Sequence, residues 1–176
     1  TAYITVAPAL TVNVEVVQNV SCNNGNNGSL KANASGGDGN YTYSWNNSQN
    51  KQLLSNASAG NYTVTVKDGY NCSTNNFKTI SQPQPISISI DTETINGNTK
   101  NATINVSGGT APYTYIINNS LELISSIITN IKSGFYNVLI KDKNNCIQNA
   151  TFSVEAATPT NETESQFEIL NVYPNP

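Results

Sequence analysis

Hydrophobic and polar residues alternate one by one along much of this chain. Residues 60–67 spell Gly-Asn-Tyr-Thr-Val-Thr-Val-Lys, and residues 134–141 spell Gly-Phe-Tyr-Asn-Val-Leu-Ile-Lys. In each segment a tyrosine and two aliphatic residues stand two positions apart, so they share one face of a strand. Asp68 or Asp142 follows, and then residues that suit a hairpin turn. The pattern predicts strands with one buried face, joined by tight turns.

The chain also repeats itself. Residues 60–68 return as 134–142, and the Gly-Gly and tyrosine positions of residues 36–43 return as 108–115. Two pairs of matching segments at nearly the same spacing indicate two copies of one module. The second copy has about two extra residues between the matches.

Each copy contains roughly six or seven short alternating segments separated by turn residues. The strands that open the copies are predicted at residues 10–16 and 86–91, each with an aliphatic face and a polar face. Short strands in this number, with turns between them, are typical of a Greek-key sandwich. We therefore predict an all-β fold of two tandem immunoglobulin-like Greek-key β-sandwich domains, joined by a short proline-containing linker at residues 81–85.

Aromatic residues on the alternating faces are predicted to fill the two cores. Tyr62 and Tyr136 each follow a glycine by two positions, which is typical of a tyrosine corner, where the hydroxyl bonds to upstream backbone. The other predicted core residues are Tyr43, Trp45 and Tyr115. Trp45 and its neighbours Tyr41 and Tyr43 could instead stack on a sugar ring, but Ile117 stands at the equivalent place of the second copy. An isoleucine can replace a tryptophan in a core but cannot stack on a sugar ring, so core packing is favoured.

The domain boundaries are predicted where the alternating pattern is interrupted. Residues 1–8 are assigned to the end of a preceding module or to a linker, 9–83 to the first repeat and 84–156 to the second. Residues 157–169, rich in Thr, Glu and Asn, are predicted to be a flexible linker. No signal peptide is recognisable, so we expect the chain to be an interior or C-terminal piece of a longer precursor.

Composition removes several classes of function. Charged residues make up 11% of the 176 residues, and eight Lys and Arg against eleven Asp and Glu leave a net charge of −3. This gives no basic footprint for a nucleic acid, and no apolar run approaches the ~20 residues that cross a bilayer. Histidine is absent, so triad hydrolysis and most zinc sites lack their usual participants. We predict no enzymatic activity and no cofactor.

One carboxylate per copy is a candidate metal ligand. Asp68 and Asp142, with Asn71, Asn144 and Asn145 nearby in sequence, could offer oxygens to Ca²⁺. A calcium site collects about six to eight oxygens, several of them from carboxylates, whereas each turn has a single Asp. Asp also suits a turn on its own account. Turn chemistry is favoured, and no metal is predicted.

Both modules resemble the SprB-type repeat of surface adhesins and other secreted proteins of gliding bacteria in the Bacteroidota. In the first module the resemblance lies in residues 20–25, 36–37, 41–45, 59–66 and 68–72. In the second module it lies in residues 108–109, 112–115 and 141–146. The second module departs from the repeat at Thr94, where a cysteine is expected, and at Ile117, where tryptophan is common. The resemblance implies a secreted or outer-surface bacterial protein.

The last residues of the chain resemble a second known element. Residues 170–176 look like the opening of the C-terminal sorting domain of the type IX secretion system, through the motif residues Tyr173, Pro174, Asn175 and Pro176. This resemblance implies the type IX machinery as a partner. Surface polysaccharide and neighbouring repeats are further expected partners.

Export implies an oxidising compartment, where cysteines of a small module form disulfides. We expect Cys22 and Cys72 to be bonded across the first module, which would contribute on the order of 4 kcal/mol in the chain-entropy model. The alternative is two separate free thiols. Cys146 has no partner in its own module because Thr94 takes the equivalent place, so it is expected to be a buried free thiol, with an intermolecular link as the alternative.

The function expected from these features is structural. The pair would be a non-catalytic stalk or spacer, or part of an adhesive fibre, in a secreted cell-surface protein exported by the type IX system. The alternative is a carbohydrate-binding accessory module of a secreted polysaccharide-degrading enzyme. That alternative needs exposed aromatic rings, and the candidates are Tyr70, Phe135 and Tyr173.

Overall fold

The computed structural model describes residues 7–96 and 99–156, and within those ranges the chain forms thirteen β-strands. Six belong to the first module: β1 (Thr11–Gln18), β2 (Gly28–Ser35), β3 (Thr42–Trp45), β4 (Leu53–Ala57), β5 (Gly60–Lys67) and β6 (Ser73–Ile80). Seven belong to the second: β7 (Ser87–Asn96), β8 (Thr99–Ser107), β9 (Tyr113–Ile117), β10 (Leu121–Leu123), β11 (Ile127–Ile131), β12 (Gly134–Asp142) and β13 (Ile147–Val154).

The strand order in each module is that of an immunoglobulin-like sandwich. In the first module one sheet has the order β1-β2-β4 and the other β3-β5-β6, with all pairs antiparallel. The chain therefore changes sheet after β2, after β3 and after β4, which is the Greek-key path of strands A, B, E and C, F, G. The predicted all-β sandwich fold is confirmed.

The second module repeats this order and adds one strand. Its sheets have the orders β11-β8-β7 and β10-β9-β12-β13. The short strand β10 pairs with β9 through Leu121 and Ile117. It lies in the stretch where the second copy has its extra residues, so the insertion extends the edge of one sheet and leaves the rest of the order unchanged.

Each module has its own core between its two sheets. The residues that alternate along the strands are buried: Val14, Val20, Leu30, Ala32, Trp45, Leu54, Ala57, Val64, Val66 and Ile80 in the first module. In the second they are Ala102, Ile104, Tyr115, Ile117, Ile131, Val138, Ile140 and Val154. No described residue of one module belongs to the core of the other. Period-two alternation places these side chains inward and the polar ones outward.

The turn between the first two strands differs between the modules. In the second module β7 continues to Asn96, and Thr94 pairs with Lys100. The β-branched residues Thr92, Thr94 and Ile95 favour an extended backbone, whereas Gln18 and Asn19 end the equivalent strand β1. The first module therefore keeps a long loop that the second replaces with strand.

Candidate functional site at the junction of the modules

The linker is fixed to one end of the first module. Residues 19–27, here called the first turn, lie beside residues 81–85 of the linker and supply both donors and acceptors. Four hydrogen bonds join them, written from donor to acceptor: Val20 N to Ser81 O (2.9 Å), Ser81 N to Asn19 Oδ1 (2.9 Å), Asn24 N to Gln82 Oε1 (2.8 Å) and Asn23 Nδ2 to Pro83 O (3.1 Å). A linker held in this way leaves the first module in one direction.

The linker then contacts the Gly-Gly turn of the second module. Gly109 N donates to the carbonyl oxygen of Gln84 at 2.8 Å. Gly108 has φ of 75°, and a Cβ atom there would collide with the carbonyl oxygen of Pro85. Both the positive φ and the close approach require glycine. The hydroxyl of Tyr113 donates to the carbonyl oxygen of Gly108 and supports the same turn.

A disulfide between Cys22 and Cys146 joins the two modules, with 5.5 Å between their Cα atoms. Cys22 lies in the first turn, and Cys146 lies in residues 143–146, the loop of the β12–β13 hairpin, here called the last hairpin. The sequence prediction of a Cys22–Cys72 bond is therefore wrong, as is the prediction of a free thiol at Cys146. Cys72 is the free and exposed cysteine among the described residues.

The geometry of the first module explains this correction. Cys22 follows the end of β1, whereas Cys72 lies in the β5–β6 hairpin, beside the β2–β3 turn, which contacts the residues just before β1. The eight residues of β1 therefore separate the two cysteines by about 25 Å, at ~3.3 Å per residue. Bonded cysteines have Cα atoms less than about 7 Å apart. A bond within the module is excluded, and a bond across the junction is within reach.

A buried aspartate positions the cysteine of the last hairpin. Asp142 is 4% exposed, and its Oδ1 accepts hydrogen bonds from the backbone N of Asn144 (2.8 Å) and Cys146 (2.9 Å). Its Oδ2 accepts from Thr110 N at 2.9 Å, which ties the hairpin to the Gly-Gly turn. The side chain of Asn144 donates to the carbonyl oxygen of Ser21 across the junction at 3.2 Å. The aspartate predicted as a turn residue thus also fixes the disulfide.

The first module has the same aspartate with one fewer partner. Oδ1 of Asp68 accepts from Tyr70 N (3.0 Å) and Cys72 N (2.8 Å). Its Oδ2 is buried and accepts no hydrogen bond. Among the residues that the structure describes, no group of three or more His, Cys, Asp or Glu comes together to hold a metal ion.

The two aspartates give a matched pair of substitutions. Asp142→Asn should lower the free energy of unfolding by about 1–3 kcal/mol more than Asp68→Asn. In Asp142→Asn the new NH₂ group must face a backbone N–H donor, either that of Thr110 or those of Asn144 and Cys146, so at least one hydrogen bond is lost. In Asp68→Asn the NH₂ group can take the place of the unpaired Oδ2, and no hydrogen bond is lost. Urea unfolding followed by circular dichroism measures both. Equal losses would show that the Thr110 bond contributes nothing.

Asp38 gives the first module a pH-dependent contact that the second lacks. Its Oδ1 accepts from Gly69 N (2.9 Å) and Asn40 N (3.0 Å). These backbone hydrogen bonds hold the pKa of Asp38 below its ordinary value, and the bond from Gly69 has the largest effect. A carboxyl whose pKa is depressed in the folded state stabilises that state above its unfolded pKa, and the stabilisation is lost as the pH falls through the folded pKa.

The Asp38 contact predicts a titration of the β5–β6 hairpin. The NMR signal of the Gly69 amide should shift with a midpoint below the ordinary Asp pKa, because protonation of Asp38 weakens its acceptor. In the Asp38→Asn variant this transition should disappear. A midpoint at or above the ordinary value would contradict the assignment.

Between the first turn and the last hairpin lies an open cleft of about 440 Å³. Proline and amide groups line it together with the disulfide, and its residues include Cys22, Asn23, Pro83, Pro85, Cys146 and Ile147. None of the described residues that line the cleft has a carboxylate or amine side chain. The junction is held together by one covalent bond and by hydrogen bonds between neutral groups.

The predicted core aromatics lie in the sandwiches, away from the junction cleft. Trp45 is 2% exposed, and its Nε1 donates to the carbonyl oxygen of Lys51 at 2.8 Å. Tyr43 is half-buried and Tyr115 is buried, and desolvation raises the pKa of both hydroxyls. The hydroxyl of Tyr62 donates to Ser58 O (3.0 Å) and that of Tyr136 to Lys132 O (2.9 Å), four residues upstream in each case.

The exposed aromatic residues in the described part of the chain lie on separate elements. Tyr70 is 70% exposed in the β5–β6 hairpin of the first module, whereas Phe135 is 91% exposed at the start of β12 in the second. Phe77, on β6, is also exposed and points away from the core that Ile80 enters. The third candidate, Tyr173, lies outside the described residues, as do the motif residues Pro174, Asn175 and Pro176 and the ranges 1–6 and 157–169.

The fold and the junction define the chain as a tandem pair of immunoglobulin-like modules linked end to end. The model of the SprB repeat matches residues 14–50 and 96–121. Each match begins near the end of the first strand or within it and extends past the third, so similarity to the SprB repeat occurs in both modules. Repeats of this kind are structural, non-catalytic domain types of cell-surface proteins. No curated protein matches the chain.

The chain aligns with a solved structure, the C-terminal 282-residue fragment of intimin in complex with the intimin-binding domain of the translocated intimin receptor. The alignment has 13% sequence identity and a TM-score of 0.44, and it covers 82% of this chain and 64% of that chain. The chain thus spans less than two thirds of the intimin fragment. In the ranges described here, no helix is long and apolar enough to cross a membrane.

Proposed function

We propose that this chain is a non-catalytic spacer, a segment of the stalk of a secreted bacterial cell-surface protein. The observation that carries the proposal is the disulfide between Cys22 and Cys146, which crosses the junction of the modules. A spacer must transmit position and load from one end to the other. Covalent fastening of consecutive modules supplies that property, since domains within one chain otherwise move relative to one another.

The linker supports the same function. Pro83 and Pro85 restrict the backbone, and the hydrogen bonds of the first turn hold residues 81–83 along the module. The outward faces of the strands are rich in Asn, Ser and Thr with few charges, a composition that keeps repeated modules soluble. Neighbouring repeats are the partners that this arrangement suits, and an adhesive fibre built by repetition is the same proposal at larger scale.

The route to the surface is a further part of the proposal. The resemblance of residues 170–176 to the start of a type IX sorting domain supports export by that system. In the source bacterium, the parent protein should be sensitive to protease added to intact cells. A strain without the type IX translocon should retain it inside. Unchanged surface exposure in that strain would overturn the export route while leaving the spacer role intact.

Small-angle X-ray scattering tests the spacer role. The oxidised chain should scatter as one end-to-end arrangement of two modules, whereas the Cys22→Ser/Cys146→Ser variant should show a broader set of distances. The proposal fails if the oxidised chain needs the same spread of arrangements as the variant. Affinity electrophoresis in polysaccharide gels adds a second arm: unchanged mobility is expected, and retardation would favour the carbohydrate-binding role instead.

A further inference from the structure

We infer that Cys72 forms a disulfide with a preceding module of the same kind. The partner would be a cysteine in the first turn of that preceding module, at the position of Cys22. This inference deepens the spacer proposal, because it makes the fastening of one junction the rule for consecutive junctions. The two modules are alike at the end where the chain enters each of them, and they differ in what covers that end.

The chain enters both modules along the same path. Gly37 N donates to Pro8 O at 2.7 Å, and Gly109 N donates to Gln84 O at 2.8 Å. Gly36 has φ of 81°, close to the 75° of its counterpart Gly108. A Cβ atom on Gly36 would collide with the carbonyl oxygen of Ala9, as one on Gly108 would with that of Pro85. Residues 8–9 therefore lie against the first module as residues 84–85 lie against the second.

The two hairpins place their cysteines in the same way. Cys72 N donates to Asp68 Oδ1 at 2.8 Å, and Cys146 N donates to Asp142 Oδ1 at 2.9 Å. The carbonyl oxygen of each cysteine accepts from the backbone N of its aspartate at 3.0 Å. The residue before each cysteine is an asparagine in the left-handed conformation, with φ of 63° in the first module and 64° in the second. The backbone of Cys72 is thus set as that of Cys146 is.

The modules differ in what covers this end. Cys146 is bonded to the preceding module, and Asn144 donates to Ser21 of that module. At the equivalent positions of the first module, Cys72 is free and exposed, and Tyr70 is 70% exposed. A cysteine and an aromatic ring are therefore exposed together at the positions where the copy contacts the preceding module.

The bond forms by thiol–disulfide exchange with a small disulfide such as oxidised glutathione. The cysteine of the preceding module first forms a mixed disulfide with it and releases one molecule of the reduced thiol. The Cys72 thiolate then attacks the protein sulfur of that mixed disulfide, and the second glutathione thiolate leaves and takes up a proton. Two protein thiols are oxidised by two electrons, and one glutathione disulfide is reduced to two thiols.

The test adds a preceding module to the chain. Residues 9–85, with Cys72→Ser in the added copy, are placed directly before Leu10, so that the added Cys22 can meet the original Cys72. After refolding in a glutathione buffer, alkylation without reduction should modify no cysteine. Tryptic mapping should then give the added Cys22 joined to Cys72. The two Cys22 peptides differ in mass because different residues precede them.

The matched control carries Cys22→Ser in the added copy as well, and it should leave one alkylated thiol per chain, at Cys72. The inference is overturned if Cys72 is alkylated in the test protein although the original Cys22–Cys146 bond has formed in the same molecules. It is equally overturned if Cys72 is found bonded to Cys72 of another chain. Neither result affects the spacer role, which the scattering of the unextended chain tests through Cys22–Cys146 alone.

Discussion

Pulled by its two ends until both modules unfold, the oxidised chain should lengthen by roughly 400 Å less than the reduced chain, at ~3.3–3.6 Å per extended residue. The Cys22–Cys146 bond closes a loop with a sequence separation of 124, and tension passes from Cys22 to Cys146 without entering it. Most of both cores lies inside that loop. Single-molecule force spectroscopy with handles at the termini, with and without reductant, measures the difference in contour length.

The control for this experiment is the Cys22→Ser/Cys146→Ser variant, in which Cys72 remains. It should give the long extension under both conditions. If the oxidised original chain already extends as far as the variant, the junction disulfide does not carry the load. A shortened extension that persists in reductant would point to a source of resistance other than the bond.

Replacement of Trp45 by alanine should lower the free energy of unfolding by about 3–5 kcal/mol. This is a large share of the total free energy of unfolding of a small module. The indole is 2% exposed in the centre of the first core, and its Nε1 donates to Lys51 O at 2.8 Å. Alanine removes both the packing and the donor to the Lys51 carbonyl oxygen. Guanidinium unfolding of the oxidised protein, followed by circular dichroism, measures the loss.

Two variants separate packing from other effects of this substitution. Trp45→Ile should lose less than Trp45→Ala, because Ile117 fills the equivalent place of the second module. Phe135→Ala should change stability by no more than about 0.5 kcal/mol, because its ring is 91% exposed. A small loss for Trp45→Ala together with reduced binding to a polysaccharide would instead favour the stacking role.

The sequence was sufficient for the fold because alternation is a local signal. Val64 and Val66 are fully buried, as are Val138 and Ile140 in the copy, and each pair lies two residues apart on its strand. Strand pairing in a sandwich follows from which face is apolar, and that face is visible in a single strand. Phe77 follows the same alternation: it is apolar but lies three positions from Ile80 on β6, so it is on the outward face and is exposed.

The disulfide could not be predicted by treating each module alone. Cys22 and Cys72 belong to one repeat, and the expected pairing assumed that a small domain closes on itself. The actual partner, Cys146, is determined by how the linker places one module on the next. The repeat itself held a usable signal: Cys72 and Cys146 occupy equivalent positions, whereas Cys22 has Thr94 as its equivalent. Cys22 thus has two hairpin cysteines as possible partners, and the position of the linker decides between them.

Thr94 gives the pair a direction. The second module accepts a disulfide through Cys146, but it has no cysteine in the place from which the first module offers Cys22. Modules of the first kind can be inserted anywhere in a row by gene duplication, and each new copy would bring both halves of a junction. A copy of the second kind placed in the middle would leave the junction after it without a covalent bond. The exchange of one cysteine for threonine therefore makes the order of the modules, and not only their number, a heritable property of such a row.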